Sequence, residues 1–181
     1  VNEPTVTGTY VYTGLEQTVE LTGVESYMTI DVVSVLKGTN VGEYKVIVEL
    51  DNNHVWAEGS DGEITWSITK AQATITVDTN DINVIFGDTI TLPEATTNFG
   101  EVKVTKSEML NVGTYTVTYT VEGTDNYDGD SKEVKVIISP LAVNEPTVVG
   151  TYTYNKSEQT VELAGVESYM TIDVVSVLKG T

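Results

Sequence analysis

The residues best suited to chemistry are the carboxylates of one acidic loop, residues 123–130, with the sequence GTDNYDGD. Calcium is held in proteins by oxygen ligands, and Asp125, Asp128 and Asp130 would supply three of them if this loop folds around an ion. The loop lacks the EF-hand spacing and its distant bidentate glutamate. Two interpretations therefore stay open, a calcium site and a solvated acidic turn. The same two apply to a second group of carboxylates, Asp78, Asp81 and Asp88.

Trp56 is the candidate for ligand binding. It follows His54 and the polar run 51–53 in what we predict to be a loop. An exposed tryptophan among amide and carboxylate groups can stack on a sugar ring. The alternative is that Trp56 closes the core just before the last strand of its module.

The sequence contains few residues that could support other catalytic chemistry. His54 is the one histidine and there is no cysteine, so neither a His-based metal site nor a thiol nucleophile can be assembled. A Lys–Asn isopeptide crosslink involving Lys45, Lys70 or Lys135 is conceivable, but sequence does not reveal which side chains are adjacent. We expect no enzyme activity, and no cofactor apart from the calcium considered above.

Charge narrows the range of partners. The formal net charge is −18, and all nine basic residues are lysines. Such a field repels phosphate backbones and anionic lipid headgroups, so we expect neither nucleic acid nor membrane insertion. No apolar stretch approaches the roughly 18 to 20 residues of a spanning helix. The first residues have neither a basic region nor an apolar run, so we expect no signal peptide within the sequence.

The strongest pattern is an internal repeat. Residues 143–181 repeat residues 1–39 with six differences, including Thr7 against Val149, Gly14 against Lys156 and Thr22 against Ala164. Near-identity over this length predicts a parent protein that is a tandem array.

Two unlike modules fill one period. The motif N-V-G-x-Y-x-V occurs at residues 40–46 and again at residues 111–117, and a long alternating segment follows each copy. We therefore divide the chain into a first module (residues 1–71), a second module (residues 72–142) and a partial module (residues 143–181) that repeats the first half of the first. Neighbouring modules are expected to pack on one another.

The periodicity predicts strands throughout. Residues 114–121 alternate threonine with Tyr115, Val117, Tyr119 and Val121, which should face inward. Residues 63–69 alternate likewise and place Trp66 in the core. Further strands are predicted over these ranges: 29–36, 73–77, 83–86, 89–92, 101–105 and 133–139. Short strands, frequent turns and no helix pattern predict an all-β fold of β-sandwich modules joined end to end.

The N-V-G-x-Y motif is expected to be structural. Gly42 and Gly113 are predicted to supply a tight turn or a turn with positive φ. Tyr44 and Tyr115 then open the next strand, either as a tyrosine corner or as ordinary core aromatics. The connections look stiff, since residues 70–73 contain no glycine and residues 139–146 contain two prolines.

The first module resembles a known family. Its motifs are Y-x-G-x-x-Q-x-V at residues 12–19, G-T-N-x-G-x-Y at residues 38–44 and W-x-I-x-K-A at residues 66–71. This order is similar to the immunoglobulin-like repeats, MBG-type and related, of large Gram-positive cell-surface and adhesin proteins. The second module resembles the broader group through residues 113–115. The resemblance implies secretion to a bacterial surface or an extracellular filament, and it carries no catalytic residues.

Two functions follow from these patterns. The first is a non-catalytic structural repeat of a surface stalk or filament. The second is an adhesin repeat that itself binds carbohydrate or a host protein, for which Trp56 would be the contact. The partial module lacks the second half of its fold, so we also expect something to complete it, most simply strands from another copy of the chain.

Overall fold

A computed structural model describes residues 1–173 of the chain. Every regular element in this range is a β-strand, and the multiple small sheets are consistent with a β-sandwich type of fold. The chain divides into two compact units, Val1–Ser139 and a second unit that begins at Pro140.

The first module is built around two long strands. They pair antiparallel and place Tyr44 opposite Trp66, while the second of them also pairs in parallel with a short strand at Tyr10. A further edge strand completes a four-stranded sheet. The strands are β1 (Thr5–Thr7), β2 (Tyr10–Val11), β3 (Gln17–Thr18), β4 (Glu20–Thr22), β5 (Met28–Ile30), β6 (Lys37–Gly38), β7 (Gly42–Leu50) and β8 (Glu63–Thr69).

The second module repeats this plan with a different sequence. Its four-stranded sheet has the order β11-β16-β14-β13, which corresponds to β2-β8-β7-β5. Gly113 lies opposite Ile138 as Gly42 lies opposite Ile68, so the register is also the same. The strands are β9 (Ala71–Gln72), β10 (Ile75–Thr76), β11 (Ile82–Ile85), β12 (Thr96–Thr97), β13 (Lys103–Lys106), β14 (Gly113–Val121), β15 (Tyr127–Asp128) and β16 (Asp130–Ser139).

Each module has its own hydrophobic core within the first compact unit. Strand alternation explains most of both cores, because residues at every second strand position turn inward and bury their apolar surface. Val19 and Ala73 join the cores from positions between strands. The first core contains Val19, Met28, Val46, Val48, Ile64, Trp66 and Ile68; the second contains Ala73, Ile75, Val117, Tyr119, Val121, Val134, Val136 and Ile138.

Two of the predicted strands are wrong. The segment predicted as a strand over residues 29–36 is extended only to Ile30, because the Asp31 carboxylate accepts a hydrogen bond from the Val33 amide (3.0 Å) and turns the chain. Residues 89–92 form no strand. Ile90 and Leu92 still pack on the second core, but from a loop that leads into Pro93, which lacks an amide donor for a ladder.

The second unit contains one short antiparallel pair, β17 (Thr147–Val148) with β18 (Leu163–Ala164). Val148 lies opposite Leu163, as Val6 lies opposite Leu21 in the first module. The end of the partial module, residues 174–181, lies outside the described residues.

Candidate functional site

The acidic loop at Gly123–Asp130, which we call the joint loop, is folded back on itself. The Thr124 amide donates to the Tyr127 carbonyl (2.9 Å), and the Thr124 hydroxyl accepts from the amides of Asn126 and Tyr127. Glycine is needed where the loop closes, because a Cβ on Gly129 would lie 2.5 Å from the Val121 carbonyl oxygen. Three hydrogen bonds and a sterically required glycine therefore restrict the conformation of the loop.

Asp130 is committed to backbone donors. Its carboxylate accepts from the amides of Ile75 and Ser131, each at 2.8 Å, and lies 3.7 Å from the Lys132 ammonium. The hydrogen bond from Ile75 holds the pKa of the Asp130 carboxyl below its usual range, with help from Ser131 and Lys132 and against partial desolvation. Asp130 therefore ties the end of the joint loop to β10.

The other predicted calcium ligands do not converge with Asp130. Asp125 and Asp128 are exposed, and the Asp128 carboxylate lies 3.9 Å from the Lys70 ammonium. Asp78 and Asp88 accept hydrogen bonds from Asn80 and Ile85 in their own turns. Within residues 1–173, no three acidic or histidine side chains are grouped as a metal site requires. Calcium binding here stays a prediction without geometric support.

The joint loop instead contacts the first module through Asn126. The Val41 amide donates to Asn126 Oδ1 (3.0 Å), and Asn126 Nδ2 lies 3.4 Å from Asn40 Oδ1. Asn126 thus satisfies a half-buried amide in the first N-V-G-x-Y motif. A loop of the second core is in this way bound to a turn of the first.

A short parallel ladder reinforces this contact. β15 pairs with β9, and the Ala71 and Ala73 amides donate to the carbonyls of Asn126 and Asp128. The Lys70 ammonium adds a hydrogen bond to the Thr124 carbonyl (2.8 Å). The connection between the cores therefore has its backbone groups paired, as buried or half-buried chain requires.

Tyr127 supplies the apolar part of the contact. Its ring stacks on Phe99 of the second module (centroids 3.8 Å apart) and meets Tyr12 of the first module edge-on (5.4 Å). Such aromatic pairs contribute beyond the area they bury. The name joint refers below to these contacts of the joint loop with five residues of the first module: Tyr12, Asn40, Val41, Lys70 and Ala71.

The two N-V-G-x-Y motifs have the same internal geometry. The Tyr44 hydroxyl donates to the Asn40 carbonyl (2.6 Å), and the Tyr115 hydroxyl donates to the Asn111 carbonyl (2.8 Å). A tyrosine corner makes this kind of contact. Gly113 has a φ of 157°, whereas Gly42 has no positive φ and is the first residue of β7.

Trp56 and Trp66 occupy different environments. Trp66 is 2 % exposed, donates from Nε1 to the Val35 carbonyl (2.7 Å) and stacks on Tyr44. Trp56 is half-buried and packs against the first core. Nearby in sequence, His54 stacks on Tyr27 with centroids 4.0 Å apart, and its Nδ1 bonds the Asp51 carboxylate.

The lysines considered for isopeptide bonds contact other groups. Lys45 forms an ion pair with Glu63, and Lys70 bonds the joint loop as described above. Lys135 lies opposite Thr116 in the β14–β16 ladder. None of these contacts is to an asparagine side chain.

Sequence reasoning missed the residues that form the joint. It assigned the loop to a possible ion site through its aspartates, whereas Asn126 and Tyr127 make the contacts. A usable signal was present, since a large aromatic in an otherwise polar loop predicts burial against something. Tyr12, which contacts Tyr127, lies 115 residues away in the chain, and Val41, which contacts Asn126, lies 85 residues away, so only the fold brings these residues close.

Comparison with known proteins leaves the family open. The chain matches no protein-family model and no curated protein sequence. Among the residues that the structure describes, no helix is long and apolar enough to cross a membrane. The resemblance to bacterial immunoglobulin-like repeats therefore stays a prediction from the motifs.

Proposed function

We propose that the chain is a non-catalytic structural repeat of an extracellular surface stalk or filament, built from immunoglobulin-like β-sandwich modules joined end to end. The observation that carries this proposal is the joint. Its polar and aromatic groups, which could have bound a ligand, bind the neighbouring module instead. A spacer needs such connections, because a freely hinged chain would not hold a functional group at a fixed distance.

The joint favours stiffness on physical grounds. It combines a backbone ladder, a side-chain hydrogen bond to a half-buried amide and an aromatic contact, and residues 70–73 contain no glycine. Each hydrogen bond contributes roughly 1 kcal/mol on its own. Acting together within one compact unit, they oppose hinge motion between the cores.

Composition supports the same role. A net charge of −18 makes neighbouring chains repel and stay soluble. The outward positions of the long strands are mostly threonine, glutamate and lysine, as in Thr114, Thr116 and Glu133. The internal repeat predicts a parent protein that is a tandem array, for which secretion to a bacterial surface is the location that the family resemblance implies.

Distance measurement between spin labels tests the proposal. The chain has no cysteine, so Asn52→Cys and Thr105→Cys place one label on an exposed site of each module. Pulsed electron resonance should give one narrow distance distribution. The same labels with Asn126→Ala and Tyr127→Ala should give a broader one. A broad distribution in the parent chain would contradict the proposed stalk.

The adhesin alternative has one observation in its favour. The stacked rings of Tyr27 and His54, with the Asp51 carboxylate beside them, form a half-exposed aromatic surface next to polar groups. Sugars bind to such surfaces by stacking. Binding on a glycan array that is lost in Tyr27→Ala, but kept in the control Tyr154→Ala, would favour the adhesin; no binding by the parent chain would favour the spacer.

A further inference from the structure

Each module contains one parallel strand pair in its four-stranded sheet. β2 pairs in parallel with β8 at Tyr10 and Val11, and β11 pairs in parallel with β16 over Ile82–Ile85. The remaining pairs of these two sheets are antiparallel. A strand from the first part of each module therefore lies directly beside the strand that ends the module.

Tension along the chain pulls the two strands of such a pair in opposite directions. The pull reaches β2 or β11 at its amino end and β8 or β16 at its carboxyl end. Because the strands run parallel, their evenly spaced hydrogen bonds are sheared together and are not opened one after another. The resistance of the pair therefore grows with the number of residues that it contains.

The parallel pair of the second module is the longer one. β11 has four residues, whereas β2 has two. One further backbone bond follows each strand, from the Tyr12 amide to the Thr69 carbonyl (2.9 Å) and from the Phe86 amide to the Ser139 carbonyl (2.8 Å). Since both ladders gain the same extension, the difference in length remains.

Side-chain packing differs in the same direction. Ile82 and Val84 of β11 both pack against the second core. In β2, Tyr10 packs against the first core, whereas Val11 is 45 % exposed. Removal of β11 thus exposes two inward side chains to water, and removal of β2 exposes one.

The short strands that precede these pairs do not reverse the order. β1 pairs with β4 over three residues, and β10 pairs with β12 over two. Tension must release each of them before it reaches β2 or β11 in full. The longest pairing that must be broken therefore has three residues in the first module and four in the second.

We infer that the two modules form a graded mechanical element, in which tension along the chain unfolds the first module and leaves the second folded. Each residue released from the first module adds roughly 3.3 to 3.6 Å to the extended chain. The protein thus lengthens under tension while the second module stays intact. This behaviour follows from strand pairing alone and holds whether or not the chain serves as a stalk.

Magnetic tweezers that hold the full chain at its two ends under constant force test this inference. An insertion of about ten glycine and serine residues between Ser107 and Glu108, in an exposed loop, lengthens the unfolding step of the second module by about 35 Å. The same insertion after Gly59, in an exposed turn, marks the step of the first module.

We expect the step of the first module to come first. The second module should survive at least about fivefold longer at the same force, which is the factor that one additional net hydrogen bond supplies. Lifetime under force is the relevant measure, because forced unfolding is governed by the unfolding rate.

Two proline variants test the cause. The Phe86 amide donates toward β16, whereas the Ile85 amide donates to the Asp88 carboxylate (3.1 Å). Because amides alternate in direction along a strand, the Val84 amide faces β16 and the Asn83 amide faces away. Val84→Pro therefore removes a donor from the ladder and should shorten the lifetime of the second module at least about fivefold. The control Asn83→Pro keeps the ladder donors and should preserve the order of the steps.

Circular dichroism without force checks that both proline variants are folded. If Val84→Pro does not fold, the order of the steps in the two chains with insertions decides. Unfolding of the second module first, equal lifetimes of the two modules, or a single step that contains both would overturn the inference.

Discussion

Asn126 connects the two cores with a single side chain. Its side-chain oxygen accepts a hydrogen bond from the Val41 amide, and its side-chain nitrogen approaches the Asn40 side chain. Its backbone carbonyl accepts a hydrogen bond from the Ala71 amide. The side chain can be removed by mutation, but the backbone bond cannot. Mutation of Asn126 therefore separates the stability that its side chain contributes from the stability that its backbone hydrogen bond contributes.

Asn126→Ala should lower the free energy of unfolding by about 1 to 3 kcal/mol, because the half-buried Val41 amide loses its acceptor. Urea denaturation followed by tryptophan fluorescence measures the change. Asn80→Ala is the matched control, since the Asn80 side-chain amide donates to Asp78 in its own exposed turn, and the mutation should change stability by less than about 0.5 kcal/mol. Equal effects of the two variants would show that the contact carries no stability.

The ionisation of Asp130 should make the free energy of unfolding depend on pH. Its pKa is held below the usual value in the folded state, so the ionised carboxylate stabilises the fold above the unfolded-state pKa of about 4. This contribution is lost as the pH falls through the folded-state pKa. Urea midpoints at pH 7 and pH 3 should differ less in Asp130→Asn than in the parent chain. An equal difference between the two midpoints in Asp130→Asn and in the parent chain would contradict this role of Asp130.

At the scale of elements, β6 packs against β7 through a glycine. A Cβ on Gly38 would lie 2.6 Å from Cζ of Tyr44, whose ring is held against Trp66. A Cβ on Gly42 would have nothing within 4 Å, and Gly42 has no positive φ. Gly38, which precedes the first motif, has no room for a side chain, whereas Gly42, which lies within the motif, has room for one.

Gly38→Ala should therefore destabilise the chain by about 1 to 3 kcal/mol through overpacking. Gly42→Ala, the control four residues away, should be close to neutral. Thermal unfolding monitored by circular dichroism compares the two. A neutral Gly38→Ala would mean that the Tyr44 ring moves aside without loss.

Strand identity was predictable where alternation is regular, and it failed where a local side-chain bond competes. Residues 63–69 and 114–121 alternate strictly and form β8 and most of β14. Residues 29–36 contain three valines, yet Asp31 turns the chain and leaves Val32 exposed to solvent. β-Propensity describes which side chains suit the surface of a strand. An aspartate whose side chain accepts a hydrogen bond from a nearby backbone amide can override that propensity locally.

The site was less predictable than the strands. The sequence singled out the acidic loop, but its aspartates predicted ion binding and not a contact between modules. What decides its role is its distance from Tyr12 and Val41, which depends on how two modules with the same topology meet. The hydrophobic periodicity of the sequence describes each strand separately, so it does not predict the contact between the two modules.

At the scale of the whole molecule, the first compact unit contains two cores that share a topology and a register but not a sequence. Unlike neighbours reduce the risk that strands of adjacent modules exchange during folding. The proposed stalk requires the joint to couple the two cores, so that neither unfolds independently of the other. That coupling is the central claim of the proposed stalk.

Tryptophan fluorescence can measure this coupling directly, because Trp56 and Trp66 both lie in the first module. Val134→Ala removes methyl groups from a fully buried site in the second core and should cost about 2 kcal/mol there. If the joint couples the cores, the urea midpoint reported by tryptophan should fall in Val134→Ala, and it should fall less when Asn126→Ala is already present. A tryptophan midpoint that Val134→Ala leaves unchanged would contradict the coupling.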